Sequence, residues 1–440
     1  MDQRPSQRVQ TDVLVIGGGA TGLAAACTAA RAGLSVLLVE RYGFCGGGAV
    51  AGLSGTICGL YEATDNPVKP RQLVHGFVDD FIAQMESRGG LTGPVLYGKT
   101  FTRVHEPLAW RESADALLAG AGVRVLYHAM ATGVHRDGDR VGGATVWTKS
   151  GLFDVRAPIT IDASGDADLL AMAGLRTWCG ADGVVQNPTM IFRMQGVDTA
   201  RFIATYGHDT IMPAAVSERI LAAQQQGMDL PRAKIWLFTT TRPGELLCNC
   251  TRIRGGDGRE LNAALAEDLS EAEPQGRAQV RAYERFFRQE IAGCENAWVN
   301  DTGVQVGVRQ TRQGAGIAVL RNADVVAGTK FADGVARSPW PIELHAGAKP
   351  RVEWLLGDFY EVPYGCFVPE VGEGLLFGGR CLSAEHEAVA SARVTAQCFS
   401  YGQAMGVAAT LAVRERRQPR EIDGREVRAG LNRLGARLDG

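Results

Sequence analysis

Apolar positions along the chain follow two rhythms. Asp12 to Ile16 is a short apolar run closed by glycines, the pattern of a strand buried on both faces of a parallel sheet. Ala20 to Arg31 follows as a small, alanine-rich helical stretch stopped by Gly33, and Ser35 to Val39 repeats the buried-strand pattern. Pro67 to Gly89 carries apolar residues at helical spacing and predicts a peripheral helical insertion, and Glu106 to Leu118 predicts an amphipathic helix. VRVLYHA, VGGATVWT and LFDVRAPITIDASG give three strand signals separated by turns at 137–139 and 149–151. They predict a meander that leads back to the main sheet, with Ile159 to Gly165 as the return strand.

From about residue 181 the pattern changes. NPTMIFRMQGVD and IWLFTTTRPGELLCNCTRI are strand-like, and Leu261 to Ile291 is a charged helical stretch expected to break near Pro274. The chain then returns as the apolar run GLLFGG and a long helix from about Ser391 to Arg414, whose Gly402 and Gly406 allow close packing. The expectation is an α/β fold in three parts: residues 1–180, a separate α+β unit at 181–350 placed to cover a ligand, and 351–440.

Chemistry concentrates where the first strand opens into the first helix. Gly17, Gly19 and Gly22 form G-x-G-x-x-G at that junction, and Glu40 closes the next strand 18 residues after Gly22. The first glycine permits the turn, the second lets backbone approach a pyrophosphate, and the third lets helix pack on strand. Ala20 and Thr21 stand at the helix N-terminus, where free N–H groups favour phosphate. Glu40 suits the two hydroxyls of an adenosine ribose, and its charge argues against a 2′-phosphate. A second glycine cluster, Gly46, Gly47 and Gly48, offers bare backbone to a ring system. Further on, Ala163, Ser164 and Gly165 make a sharp turn at the end of the return strand, on the side where ligands gather in open α/β sheets. Cys45 is read as inert.

Composition narrows the class. The 440 residues are 45% hydrophobic with 56 glycines, enough for more than one core and many tight turns. A net charge of −2 argues against a nucleic-acid partner. No apolar run reaches the length of a membrane span and the N-terminus lacks the apolar core of a signal peptide, so a cytoplasmic location is expected. The ten cysteines include no C-x-x-C pair, so no metal site is expected. Cys248 and Cys250 read as core thiols.

These stretches resemble FAD-dependent oxidoreductases, in the soluble branch related to the flavoprotein subunits of fumarate reductase and succinate dehydrogenase. The resemblance covers nearly the whole chain and rests on the glycine fingerprint, ERYGFCGG, IDASGDADLLAMAG, NPTMIFRMQGVD, NCTRI, VGVRQTR and GGRCLSAEHEAVASARVTAQCFSYGQAMGVAA. It departs at Gln310 and Gln313, where Glu and Arg are expected, and at Cys45, where an aliphatic residue is usual. It implies a Rossmann-like, three-layer FAD-binding domain built from both chain ends, with the middle as an inserted α+β substrate cap. Gly17, Gly19, Ala20, Thr21 and Gly22 would then face the pyrophosphate. Glu40 and Arg41 would hold the adenosine ribose, Gly46, Gly47 and Gly48 the flavin side, and Ala131, Ala163, Ser164 and Gly165 the adenosine half. Gly379, Arg380, Ser391, Arg393 and Val394 would meet the ribitol and the pyrimidine edge of the flavin. No histidine stands near the glycine cluster, so the FAD is expected to be non-covalent.

The implied activity is hydride transfer from a small polar, anionic metabolite to flavin N5, as a dehydrogenase or oxidase. His386, Arg309 and Arg393 are the candidate catalytic groups, with Glu387 read as a helix-start carboxylate and His345 as a weaker candidate. Arg193, Arg252 and Arg312 are further candidates for binding an anion. His75, His105, His128 and His135 read as surface or cap residues. No second G-x-G-x-x-G follows a strand, so electrons are expected from the substrate and leave to oxygen, a quinone or a redox protein. A flavin-dependent monooxygenase, a non-redox hydratase or isomerase, and a redox subunit active only in a complex are the rival readings.

Overall fold

The computed structural model describes residues 7–345 and 351–439. Its centre is a five-stranded, all-parallel sheet in the order Leu375–Phe377, Ile159–Asp162, Val13–Ile16, Val36–Val39, Arg124–Leu126. Side chains alternate across such a sheet. Val13, Val15, Val36, Leu38, Ile159, Ile161 and Leu376 join the core beneath the helices. Leu14, Ile16, Leu37, Val39, Leu375 and Phe377 face the other way, against Val141, Ala144, Val146, Phe153 and Val155. Those partners belong to an antiparallel meander of Met130–Asp137, Arg140–Thr148 and Gly151–Arg156, joined in parallel by Gln7–Gln10. The result is the expected three layers of helices, parallel sheet and meander.

The helical layer is built around a close crossing of Ala20–Arg31 and Thr395–Glu415. A Cβ on Gly402 would overlap the Thr21 carbonyl oxygen, and one on Gly406 would stand 2.6 Å from Thr28 Cβ and 2.8 Å from the Ala25 oxygen. Backbone therefore meets backbone, as the two glycines suggested. A second sheet, all antiparallel, runs Trp236–Thr239, Glu245–Asn249, Phe192–Gln195, Trp298–Thr302. It has its own core, which includes Met190, Phe192, Leu246, Phe286, Phe287 and Val306. Leu320, Val325, Val335 and Ile342, by contrast, pack in the main core.

Four expectations change. The helix in 67–89 is Phe77–Glu86 and is not peripheral, because Phe81 packs 4.4 Å from the Trp110 ring and 4.8 Å from Phe399. VRVLYHA supplies the edge strand Arg124–Leu126 of the parallel sheet, and the meander begins instead at Met130. Ala266–Glu290 runs unbroken through Pro274. An interior proline costs about 3 kcal/mol or more through its missing N–H and its ring's clash with the preceding turn, which burial of Ala272, Val280, Tyr283, Phe286 and Phe287 on one face offsets. The helix expected from Ser391 is two helices, His386–Ala392 and Thr395–Glu415.

His105 is also not a surface residue. It is buried, its ring lies 4.5 Å from that of Trp110, and neither ring nitrogen has a partner. Burial, and then the Arg193 charge, push its pKa down to about 3. A histidine held neutral in the folded state destabilises it as pH falls below the unfolded value near 6.5. We therefore expect His105→Phe to flatten the loss of Tm between pH 7 and pH 5, removing about 1–2 kcal/mol of acid sensitivity. A variant with the wild-type slope would contradict this.

The helix crossing generates a second expectation. Gly402→Ala should lower Tm by several degrees or abolish soluble expression, a cost of at least about 2 kcal/mol. Gly120→Ala, at a helix position with open space around it, should be neutral or stabilising by up to about 1 kcal/mol. Equal Tm values for the two variants would rule out the close crossing.

Candidate functional site

The parallel strands end together, and the turns leaving them face one cavity. Gly17, at φ +97°, leaves the first strand in a conformation that a side chain rarely adopts, and a Cβ there would meet the Ala163 oxygen at 2.5 Å. Gly22 packs where any side chain would overlap the Gly17 carbonyl, so the first helix lies directly on the turn. Glu40 is buried at the end of the next strand. One carboxylate oxygen accepts from the Gly18 N–H at 2.6 Å and the other from the Tyr42 N–H at 2.9 Å. Burial raises its pKa and these two N–H groups oppose the rise. The second glycine cluster is tied in by the Gly46 N–H, which donates to the Gly18 carbonyl at 2.8 Å. The turn after the return strand is pinned by Ser164, whose hydroxyl donates to Asp162 at 2.6 Å.

The cavity measures about 320 Å³, within the roughly 300–1,000 Å³ usual for a ligand site. Its wall contains every residue that the sequence assigned to the cofactor except Gly22 and Ser391, with Ala163, Ser164 and Gly165 among them. Gly22 works from behind the turn. Ser391 is buried away from the cavity, donating to the Trp340 carbonyl at 2.6 Å and sharing a hydrogen bond with the Tyr360 hydroxyl at 2.8 Å. Parts of the wall are bare backbone: a Cβ on Gly48 would touch nothing within 4 Å, and one on Gly19 would meet only Gly47 Cα, at 3.8 Å. Val394, Thr395 and Cys398, from the start of the long helix, close the same wall. Cys45 is fully buried behind Gly18, and burial pushes its thiol far up.

Deeper in, the cavity changes character. Arg309 and Arg393 line it beside Glu343, His345, Tyr97 and Trp340. Arg309 is buried and donates to the Asn187 carbonyl at 2.8 Å, and Arg393 donates to Gln186 Oε1 at 3.1 Å. Among the described residues neither has a carboxylate at ion-pair distance. The other arginines are already paired. Arg193 reaches Asp301 at 2.8 Å, Arg252 reaches Glu260 at 2.8 Å, and Arg312 reaches Asp168 at 2.5 Å. Gln310 and Gln313, the two departures from the family pattern, are buried and bond to each other at 3.2 Å.

His386 is not brought to this cavity. It opens the short helix His386–Ala392, half-buried near Gly180, and burial lowers its pKa. His345 stands in the wall instead. Arg232, itself stacked 4.3 Å over the Trp236 ring, donates to His345 Nδ1 at 2.7 Å. Burial, then the charges of Arg309, Arg232 and Arg393, hold its pKa well below the usual value. Since arginine has no acceptor, the neutral ring carries its proton on Nε2, 3.7 Å from Glu343 Oε1. Glu343 is buried and accepts the Tyr97 hydroxyl at 2.8 Å. Sequence reasoning missed Glu343 and Arg232. The signal for the first was an acid inside the apolar run PWPIEL.

Known proteins resemble this chain in part and in whole. It is 29% identical over 215 residues to a digeranylgeranylglycerophospholipid reductase of Thermoplasma acidophilum, a match covering 46% of this chain and 51% of that protein. A protein of the same name from Picrophilus torridus is 31% identical over 184 residues, covering 38% of this chain and 43% of the relative. The chain thus spans about half the length of the curated relatives it matches. Among solved structures, a geranylgeranyl bacteriochlorophyll reductase-like protein of Thermoplasma acidophilum aligns over 97% of this chain and 83% of its own, with 16% identity and a TM-score of 0.49. No helix of the described residues is long and apolar enough to cross a membrane. The profile of one family, described as FAD dependent oxidoreductase, matches residues 12–431, and the chain belongs to the FAD-dependent oxidoreductases.

Proposed function

We propose that this protein oxidises a small anionic metabolite at its FAD, as a dehydrogenase or oxidase, with the substrate bound by Arg309 and Arg393. The observation that carries this reading is the pair of arginines in the inner wall, Arg309 buried and Arg393 half-buried, without carboxylate partners among the described residues. Burying a cation costs several kcal/mol unless an anion answers it. The chain supplies one nearby carboxylate, Glu343, for the charges of Arg232, Arg309 and Arg393. An anionic ligand completes the set. The relatives are named for a geranylgeranylated phospholipid, but an apolar chain in this inner wall would leave its charges unanswered.

The outer wall fits FAD. Gly17 and Gly19 would hold the pyrophosphate and Glu40 the adenosine ribose, with Ala131, Ala163, Ser164 and Gly165 beside the adenosine half. The bare backbone at Gly19 and Gly48 is a cradle that side chains would fill. Gly379, Val394 and Thr395 would meet the flavin end without a covalent bond. There the N-terminus of Thr395–Glu415 favours negative charge on the ring. When bound, FAD supplies a two-electron acceptor. The protein's own part is to hold the anion on Arg309 and Arg393 and to exclude water with Trp340, Phe238 and Ile191, which line the same space. Residues 181–350 act as the cap and 1–180 with 351–440 as the cofactor domain in this proposal.

Anaerobic mixing of the yellow protein with candidate anions tests the reading: bleaching of the flavin absorbance is expected. Bleaching by NADPH alone would favour a monooxygenase, and turnover without bleaching a hydratase or isomerase. A preparation that stays colourless with excess FAD would sink the account entirely. Arg309→Gln should keep its FAD and its visible spectrum while KM for the anion rises at least about tenfold. Unchanged KM would remove Arg309 from substrate binding. Glu40→Gln should instead weaken FAD binding, read as loss of bound colour on gel filtration.

A further inference from the structure

We propose that Glu343 is the proton acceptor of this reaction, and that the group it deprotonates is a hydroxyl, so that the substrate is a hydroxy acid anion. The inference rests on the anionic-substrate reading above and adds the atom from which the second proton leaves.

Glu343 stands in Ile342–Leu344, a strand otherwise made of apolar residues, and is buried yet lines the inner cavity. Its neighbours are arranged around it rather than paired with it. Tyr97 donates to one oxygen at 2.8 Å, and His345 offers an Nε2–H at 3.7 Å. Among the described residues no arginine or lysine lies at ion-pair distance. A buried carboxylate that a structural ion pair does not consume, open to a ligand space, has the placement of a general base. His345 is not the base. Its Nδ1 lone pair is taken by Arg232 and its Nε2 carries the proton, so it can only donate.

The electrostatics choose the substrate's second group. Arg232, Arg309 and Arg393 act on this space against Glu343 alone. An ammonium group would enter a net positive pocket and be repelled, whereas a hydroxyl carries no charge and can donate to the free side of Glu343. In the balanced step, the substrate's C–H hydrogen would leave with its electron pair as a hydride, for which bound oxidised FAD would be the acceptor. The O–H proton passes to Glu343, and the carbon–oxygen bond becomes a carbonyl. A hydroxy acid becomes an oxo acid as the FAD gains two electrons.

The holoprotein is mixed anaerobically with glycolate, lactate and malate, and in parallel with alanine, aspartate and lactamide, while flavin absorbance is followed. At least one hydroxy acid should bleach the flavin, and neither the amino acids nor the neutral amide should. Bleaching by an amino acid would overturn the hydroxyl assignment and leave the anionic-substrate reading standing. No bleaching by any of the three hydroxy acids would also overturn it. Glu343→Gln should keep FAD and its visible spectrum yet bleach at least about 10²-fold more slowly.

Oxalate binding, read from its shift of the flavin spectrum, separates a base from a structural residue. Glu343→Gln should bind oxalate as tightly as the wild type or more tightly, because a negative charge has been removed. Binding weakened tenfold or more would overturn the proposal. Glu343→Asp, which keeps the carboxylate, should recover part of the lost rate, and failure to do so in a yellow, folded variant would count equally against it.

Discussion

Everything in this molecule depends on two helices from opposite ends of the chain being able to touch. Ala20–Arg31 and Thr395–Glu415 come together through Gly402 and Gly406, with the Thr21 and Ala25 carbonyls occupying the room that side chains would need. That approach brings Val394 and Thr395 to the same wall as Gly17 and Gly19. A cradle for a dinucleotide needs phosphate donors at one end and a dipole for the ring at the other. In the FAD site proposed above the two would come from residues nearly four hundred positions apart, and the packing of the helices sets the distance between them.

The cavity then divides its electrostatic work. Its outer part is built of turns, bare backbone and one buried carboxylate, Glu40, whose charge is stabilised by two backbone N–H groups. Its inner part is built of side chains whose positive charge exceeds what the chain itself neutralises. Arginines elsewhere in the family-matching stretches are absorbed by Asp301, Glu260 and Asp168. Sequence alone did not separate those roles, since each arginine sat in an equally suggestive motif. Pairing partners, two of the three more than a hundred positions away, decide which guanidinium is left without a carboxylate.

That contrast explains what was legible. The first strand, helix and turn were readable because each depends on local rules: buried runs, helix-stopping glycine, an acid at a strand end. So was the gathering of the glycine turns on one cavity, since backbone geometry follows from glycine placement. Non-local competition decided the rest. Phe81 reaches Phe399 and makes its helix central, while the exposed Pro274 is carried inside a helix whose opposite, aromatic face is buried. His386 was placed at the site by its motif, yet the short helix it opens turns it toward Gly180, and Arg232 holds His345 in the wall instead. A single acid in an apolar strand was the one local trace of Glu343.

The order of strands in the parallel sheet has a consequence for biosynthesis. Four strands lie within the first 162 residues, but the fifth, Leu375–Phe377, and the helix Thr395–Glu415 are made only after a further intervening stretch of more than two hundred residues. Until then the nascent sheet has an open edge beside Ile159–Asp162 and an uncovered apolar face, the kind of surface that invites misassociation. Cofactor capture must therefore wait until Thr395–Glu415 has been made, and chains cut short before residue 375 would be clients for chaperones rather than apoenzyme awaiting its flavin.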